Sequence, residues 1–217
     1  MIKGGTKMMV TNRQEYYQQP YVLFNMLSRL KFRYLSSKKI EGGKSIMTRY
    51  YLGYSLDLLK QSLQKLGVLG NNSVKLYFDL ATWKDEKGYT PMFSFYNKKR
   101  EQDKEKFNEE FYKYMVGFDF AIDLDTDEDI MTTWKDAKKI KDLFDKYKLP
   151  YSLKFSGSRG FHFLIENKWF NEKMKPKNKV LLYGKLANII MAICKIKKHD
   201  DGGTFDDSMY FADEKLL

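Results

Sequence analysis

Ile122-Asp123-Leu124-Asp125 and Ser156-Gly157-Ser158-Arg159-Gly160-Phe161-His162 are the two stretches of this chain whose residue types could do chemistry together. The first closes a run that begins at Phe118. In an extended strand side chains alternate, so Phe118, Phe120, Ile122 and Leu124 face one way while Asp123 and Asp125 share the other. Two carboxylates so placed repel each other. Outside bulk water, the partner that offsets this repulsion is a divalent cation, whose preferred ligands are oxygens. In the second stretch Gly157 and Gly160 let backbone N–H groups approach an anion, Ser156 and Ser158 add donors, and Arg159 supplies a planar cation for phosphate oxygens. His162, directly after that loop, is read as a phosphate contact. A third acid follows near the end of the chain: Asp206, with its neighbour Asp207 as the alternative. Acids also cap strands and glycines also turn hairpins. Their combination in this order is what points to metal-assisted phosphate chemistry.

The elements that must position these residues follow from periodicity. A strand over residues 117–125 precedes a helix from about Trp134 to Tyr147, with Thr133 and Asp136 at capping-box spacing and Pro150 beyond its end. Strands at Tyr151 to Phe155 and Phe161 to Ile165 flank the glycine loop. A long helix from about Lys177 to Lys197 and a short strand near Met209 to Ala212 complete the order. Strand, helix, strand, strand, helix, strand predicts an α+β fold with an RRM-like or ferredoxin-like βαββαβ catalytic core. In such a sheet the fourth strand is expected antiparallel beside the first, which brings Asp206 to Asp123 and Asp125. The third is expected to run parallel to the first. That orientation puts His162 on the open face with the acids but some way along the sheet, a gap an extended triphosphate could bridge.

Residues 1–116 read as an N-terminal α/β lobe packed on the core of 117–217. Residues 13–36 are expected helical with a break or start at Pro20. Ser55 caps a helix carrying Leu58, Leu59, Leu63 and Leu66, and Gly67 ends it. Val74, Leu76, Phe78 and Leu80 alternate as one strand, and a second is expected over Met92 to Tyr96. Arg100 to Met115 has Phe107, Phe111 and Tyr114 on one stripe of an amphipathic helix.

Composition bounds the partners. A chain of 217 residues, 43% hydrophobic, can bury a real core. Its 39 Lys plus Arg against 28 Asp plus Glu give a net charge of +11, which favours polyanions, with nucleic acid foremost. Lys98-Lys99-Arg100 suits either a nucleic-acid backbone or a solvated face. The single cysteine, Cys194, excludes a disulfide framework and a cysteine-based zinc site. With no apolar run near the length of a membrane span and no hydrophobic leader at Met1, the expectation is a soluble protein of a reducing, intracellular, cytoplasmic setting with no membrane partner. His199, among Lys195, Lys197 and Lys198 at a helix C-terminus, is assigned no chemistry.

These motifs resemble the archaeo-eukaryotic primase superfamily of primase small subunits and primase-polymerases. Its hydrophobic Asp-x-Asp motif is similar to Ile122-Asp123-Leu124-Asp125, and its Ser-Gly-x-Arg/Lys-Gly-x-His motif to Ser156 through His162. Its third motif, a hydrophobic residue before Asp, resembles Phe205-Asp206, so the likeness covers about residues 117 to 212. The resemblance implies template-directed nucleotidyl transfer with Asp123, Asp125 and Asp206 holding two Mg²⁺ or Mn²⁺ ions. Those ions assist attack of a 3′-hydroxyl on the α-phosphate and departure of pyrophosphate. Ser156, Gly157, Ser158, Arg159, Gly160 and His162 would bind the nucleotide. The implied partners are a single-stranded or primed DNA template, dNTP or NTP substrates, and further domains or accessory replication proteins. Members commonly continue with basic residues past the third motif, so a chain stopping at Leu217 is expected to be an excised catalytic domain. The alternatives are a non-catalytic single-strand-binding module and a metal-dependent nuclease or phosphatase on the same carboxylates.

Overall fold

Pro20 lacks the N–H that a helix interior needs, and the N-terminal helix breaks there: α1 is Arg13–Gln18 and α2, Pro20–Leu30, begins on the proline. The computed structural model describes residues 13–41, 44–52, 55–69, 74–84, 112–127, 129–156, 159–170 and 173–207. The chain divides into two compact units, Met1–Lys98 and Lys99–Leu217. Both are mixed α+β with antiparallel sheet pairing.

In the first unit β1, Tyr34–Glu41, pairs antiparallel with β2, Lys44–Tyr51, and with β3, Lys75–Phe78. Helix α3, Leu56–Lys65, has the expected cap: the Ser55 hydroxyl accepts the Leu58 N–H at 3.2 Å, and Gly67 follows in the left-handed region. Leu23, Leu27, Leu30, Leu35, Leu59 and Leu63 form its core, while Leu58, expected on the buried stripe, is exposed. The strand expected from Val74 to Leu80 stops at Phe78, and β4, Ala81–Trp83, follows separately. The reason is Arg33, which is buried and donates to the carbonyls of Asp79 and Leu80, diverting both from the ladder. The β1–β2 hairpin was not anticipated by the helical reading of residues 13–36. The strand expected at Met92 to Tyr96, the Lys98-Lys99-Arg100 cluster and most of the helix expected from Arg100 lie outside the described residues.

The second unit carries the motifs. The strand expected over 117–125 is two strands, β5 at Met115–Phe118 and β6 at Phe120–Leu124. At the break, Asp119 accepts the N–H of Asn167 at 2.8 Å, and the Asn167 side-chain oxygen accepts the N–H of Phe118. Side-chain hydrogen bonding there replaces the ladder. Helix α4 is Ile130–Lys146 and begins earlier than Trp134, because the Asp129 carboxylate caps it by accepting from Met131 and Thr132. Thr133 is therefore a buried interior residue. Asp136 is no cap either: it accepts from the Thr204 hydroxyl at 2.8 Å. Strands β7, Ser152–Phe155, and β8, Phe161–Ile165, flank the glycine loop. Helix α5, Pro176–Cys194, ends on Lys195 in the left-handed conformation. The last described strand, β9, is only Phe205–Asp206; residues 209–212 lie outside the described set.

The sheet order is β7-β8-β6-β9 and each neighbouring pair is antiparallel. This corrects the parallel orientation expected between the first and third strands. The β7–β8 hairpin reverses the chain once more after the α4 crossover, so β8 must oppose β6. One face packs under the helices: Phe120, Ile122, Leu124, Phe163 and Phe205 have no exposure. Phe144 of α4 meets Phe163 edge-on, and Tyr183 of α5 meets Phe120 in the same way. No helix among the described residues is long and apolar enough to cross a membrane.

Candidate functional site

Alternation in β6 puts Phe120, Ile122 and Leu124 into the core, so Asp123 must take the other face. Antiparallel register then selects its neighbours. Asp123 pairs with His162 of β8 on one side and with Asp206 of β9 on the other, and His162 pairs in turn with Lys154 of β7. Directly opposed residues of antiparallel strands project from the same face. Lys154, His162, Asp123 and Asp206 therefore form one row across the open face. His162 is not displaced along the sheet from the acids, as the parallel reading had it: its Nε2 lies 3.2 Å from Asp123 Oδ1.

That contact lacks hydrogen-bond alignment, and Asp123 Oδ1 is buried with no hydrogen-bond partner. Among the described residues the buried hydroxyls of Thr133 and Tyr183 share this state. They are neutral, whereas an unsatisfied carboxylate oxygen carries the larger desolvation cost. The rest of Asp123 reaches the surface, its side chain being 25% exposed. The oxygen thus sits at the floor of an accessible polar row.

Asp206 owes its place to the turn before β9. A Cβ on Gly203 would lie 2.2 Å from the Lys197 carbonyl oxygen, so only glycine lets the chain pass. Thr204, fully buried, donates its hydroxyl to Asp136 of α4 while its carbonyl accepts the Asp125 N–H at 2.8 Å. These ties fix β9 against the end of β6. Asp207, the alternative third acid, forms an ion pair with Lys198 that raises the lysine's pKa. The register assigns the cross-strand position to Asp206.

Asp125 lies past the end of β6, exposed, and one carboxylate oxygen accepts the Thr126 N–H at 2.9 Å. The same oxygen is 3.4 Å from where a Gly160 Cβ would stand. Asp125 therefore borders the glycine loop instead of joining the Asp123–Asp206 row. Among the described residues no group of three or more His, Cys, Asp or Glu side chains stands as a preformed metal cluster. The donor chemistry still fits a hard divalent ion, since the row offers carboxylate oxygens from two adjacent strands and one of those oxygens lacks a partner.

The loop is closed at its base. Ser156 N–H donates to the Gly160 carbonyl at 2.9 Å and the Ser156 hydroxyl oxygen accepts the Gly160 N–H at 3.0 Å. Gly160 is buried, and a Cβ there would meet the Leu124 carbonyl oxygen at 2.6 Å, so glycine lets β8 enter beside β6. Arg159 is exposed and donates to the Asp127 carbonyl, with its other terminal nitrogen 3.5 Å from the Asp127 carboxylate. Gly157 and Ser158 lie outside the described residues.

Two residues near the site went unassigned at the sequence level. Lys154 joins the row only through the β7–β8 register, a signal available from counting back across the loop. His199, set aside as a helix-end residue, lies in a short 3₁₀ turn with Nε2 3.8 Å from the Asp127 carboxylate that also meets Arg159. No family model matches this chain, and no curated protein or solved structure matches it either.

Proposed function

We propose that the second unit is an RRM-like catalytic core and that the protein is a template-directed nucleotidyltransferase of the archaeo-eukaryotic primase type. The strand-helix-strand-strand-helix-strand order and its antiparallel sheet support the fold reading. The observation that carries the function is the unpartnered Asp123 Oδ1, set in register between His162 and Asp206 and beside the Ser156–Gly160 loop. Asp123 and Asp206 would hold divalent cations, with Asp125 contributing from the loop side. Bound Mg²⁺ or Mn²⁺ supplies Lewis-acid activation of a 3′-hydroxyl and charge neutralisation at the phosphates. His162 lies one strand from Asp123, which suits it to donate to a phosphate oxygen as negative charge shifts toward the leaving group. Arg159 exchanges its exposed contacts with Asp127 for the more strongly charged triphosphate. The basic excess of the chain serves the template.

The row on the open face is Lys154, His162, Asp123 and Asp206, where a single-strand-binding module of this topology presents stacking aromatics. That favours catalysis over binding alone. The test is incubation with primed template, labelled dNTPs and Mn²⁺. Extension is expected, reduced about a thousandfold in Asp123→Ala and in Asp125→Ala with folding intact. Degradation of the primer instead would establish a nuclease, binding without turnover would establish a module, and retained extension in either variant would remove the acids from the chemistry.

A further inference from the structure

Lys154 is exposed, stands on the edge strand β7, and continues the site row outward from His162. Neighbouring strands are about 4.8 Å apart, so His162 lies one such step from Asp123 and Lys154 about two, or roughly 10 Å, on the side away from Asp206. The row is therefore graded in charge. It runs from two carboxylates through an imidazole to an ammonium along one line of the sheet. Resting on the nucleotidyltransferase reading, we infer that Lys154 binds the terminal phosphate of the incoming nucleotide and sets the preference for a triphosphate over a diphosphate.

The order of groups dictates this assignment. The reacting α-phosphate must lie where cations held by the carboxylates can reach it, at the Asp123–Asp206 end. A polyphosphate extended from there crosses His162 and brings its last phosphate to the only cationic side chain of the row. The lysine's flexible stem and three donors suit a terminal phosphate, which presents oxygens in several directions. A diphosphate bound the same way ends at His162 and leaves Lys154 unengaged. Lysine on an edge strand also discourages sheet-to-sheet pairing, a role that is indifferent to which nucleotide is bound and that the following experiment separates.

Calorimetric titrations with dATP and with dADP, both with Mn²⁺ and without template, would be run on the wild type, Lys154→Ala and Lys154→Arg. Loss of one charge-assisted contact predicts that Lys154→Ala binds dATP about ten- to a hundredfold more weakly. Binding of dADP is unchanged, and Lys154→Arg keeps most of the triphosphate preference. An unaltered thermal midpoint in both variants excludes a folding effect, as expected for an exposed side chain. Equal weakening of both nucleotides, or of neither, overturns the role of Lys154 while leaving the polymerase reading standing. A wild type that binds no triphosphate overturns both.

Discussion

Asp119 and Asp123 belong to the same acidic-hydrophobic run, yet their surroundings are opposite. Asp119 is 2% exposed and sits in a closed polar network: its carboxylate accepts from Asn167, whose side-chain oxygen accepts from the equally buried Lys179 at 2.7 Å and from Phe118. Asp119, Asn167 and Lys179 are each hydrogen-bonded within it. Asp123 instead keeps one carboxylate oxygen unanswered, on a face that solvent reaches and between a histidine and a second acid. Folding alone explains the first arrangement, since buried polar groups are tolerated when they are paired. It does not explain the second, which costs stability and which the proposed divalent cation would answer.

The comparison can be broken by mutation. If Asp119 is structural, Asp119→Ala strands the Asn167 N–H and leaves Lys179 buried beside it, so urea denaturation should show a loss of about 3 kcal/mol. A loss below about 1 kcal/mol would mean the network is not the staple described. Asp123→Asn is the counterpart. Removing a charge from an oxygen that accepts no hydrogen bond, at the cost of only the misaligned contact with His162, should leave stability unchanged or raise it by about 1 kcal/mol, while extension disappears. Were Asp123→Asn to destabilise as much as Asp119→Ala, the contrast between the two sites would vanish.

A smaller effect sharpens the closed side. Burial, with the nearby Asp119 carboxylate second, pushes the Tyr183 hydroxyl well above the ordinary tyrosine pKa. The folded state therefore holds that proton more tightly than the unfolded chain. The resulting stabilisation is whole below the unfolded value near pH 10 and is lost as pH rises through the folded one. Between pH 9 and 10.5 the wild type should lose somewhat under about 1 kcal/mol that Tyr183→Phe does not lose, a difference readable from paired denaturation curves.

Much of the second unit was legible in the sequence, because its signals are local. Alternation located β6 and β8, helical spacing located α4 and α5, and the glycine loop lay between the two strands it was expected to join. What failed depended on partners distant in sequence. The direction of β8 relative to β6 is set by counting chain reversals, and an error there moved His162 away from a residue it faces directly. Helix α4 was expected to open at the Thr133–Asp136 capping box, but Asp129 caps it, with Thr133 buried in the helix and Asp136 occupied with Thr204. Strand β9 is too short for periodicity to reveal. The first unit hid its β1–β2 hairpin because residues 34–51 alternate weakly, although Gly42-Gly43 at the centre is a two-residue turn signal. Of the site, residue identities were readable, whereas the Lys154-to-Asp206 row required the register.

Mn²⁺ binding followed by electron paramagnetic resonance, with and without dATP, tests the open row most directly. The wild type should deplete the free-ion signal, more so with nucleotide present, and Asp123→Asn should not. Equal depletion by both proteins would place the cation elsewhere and contradict the role assigned to Asp123.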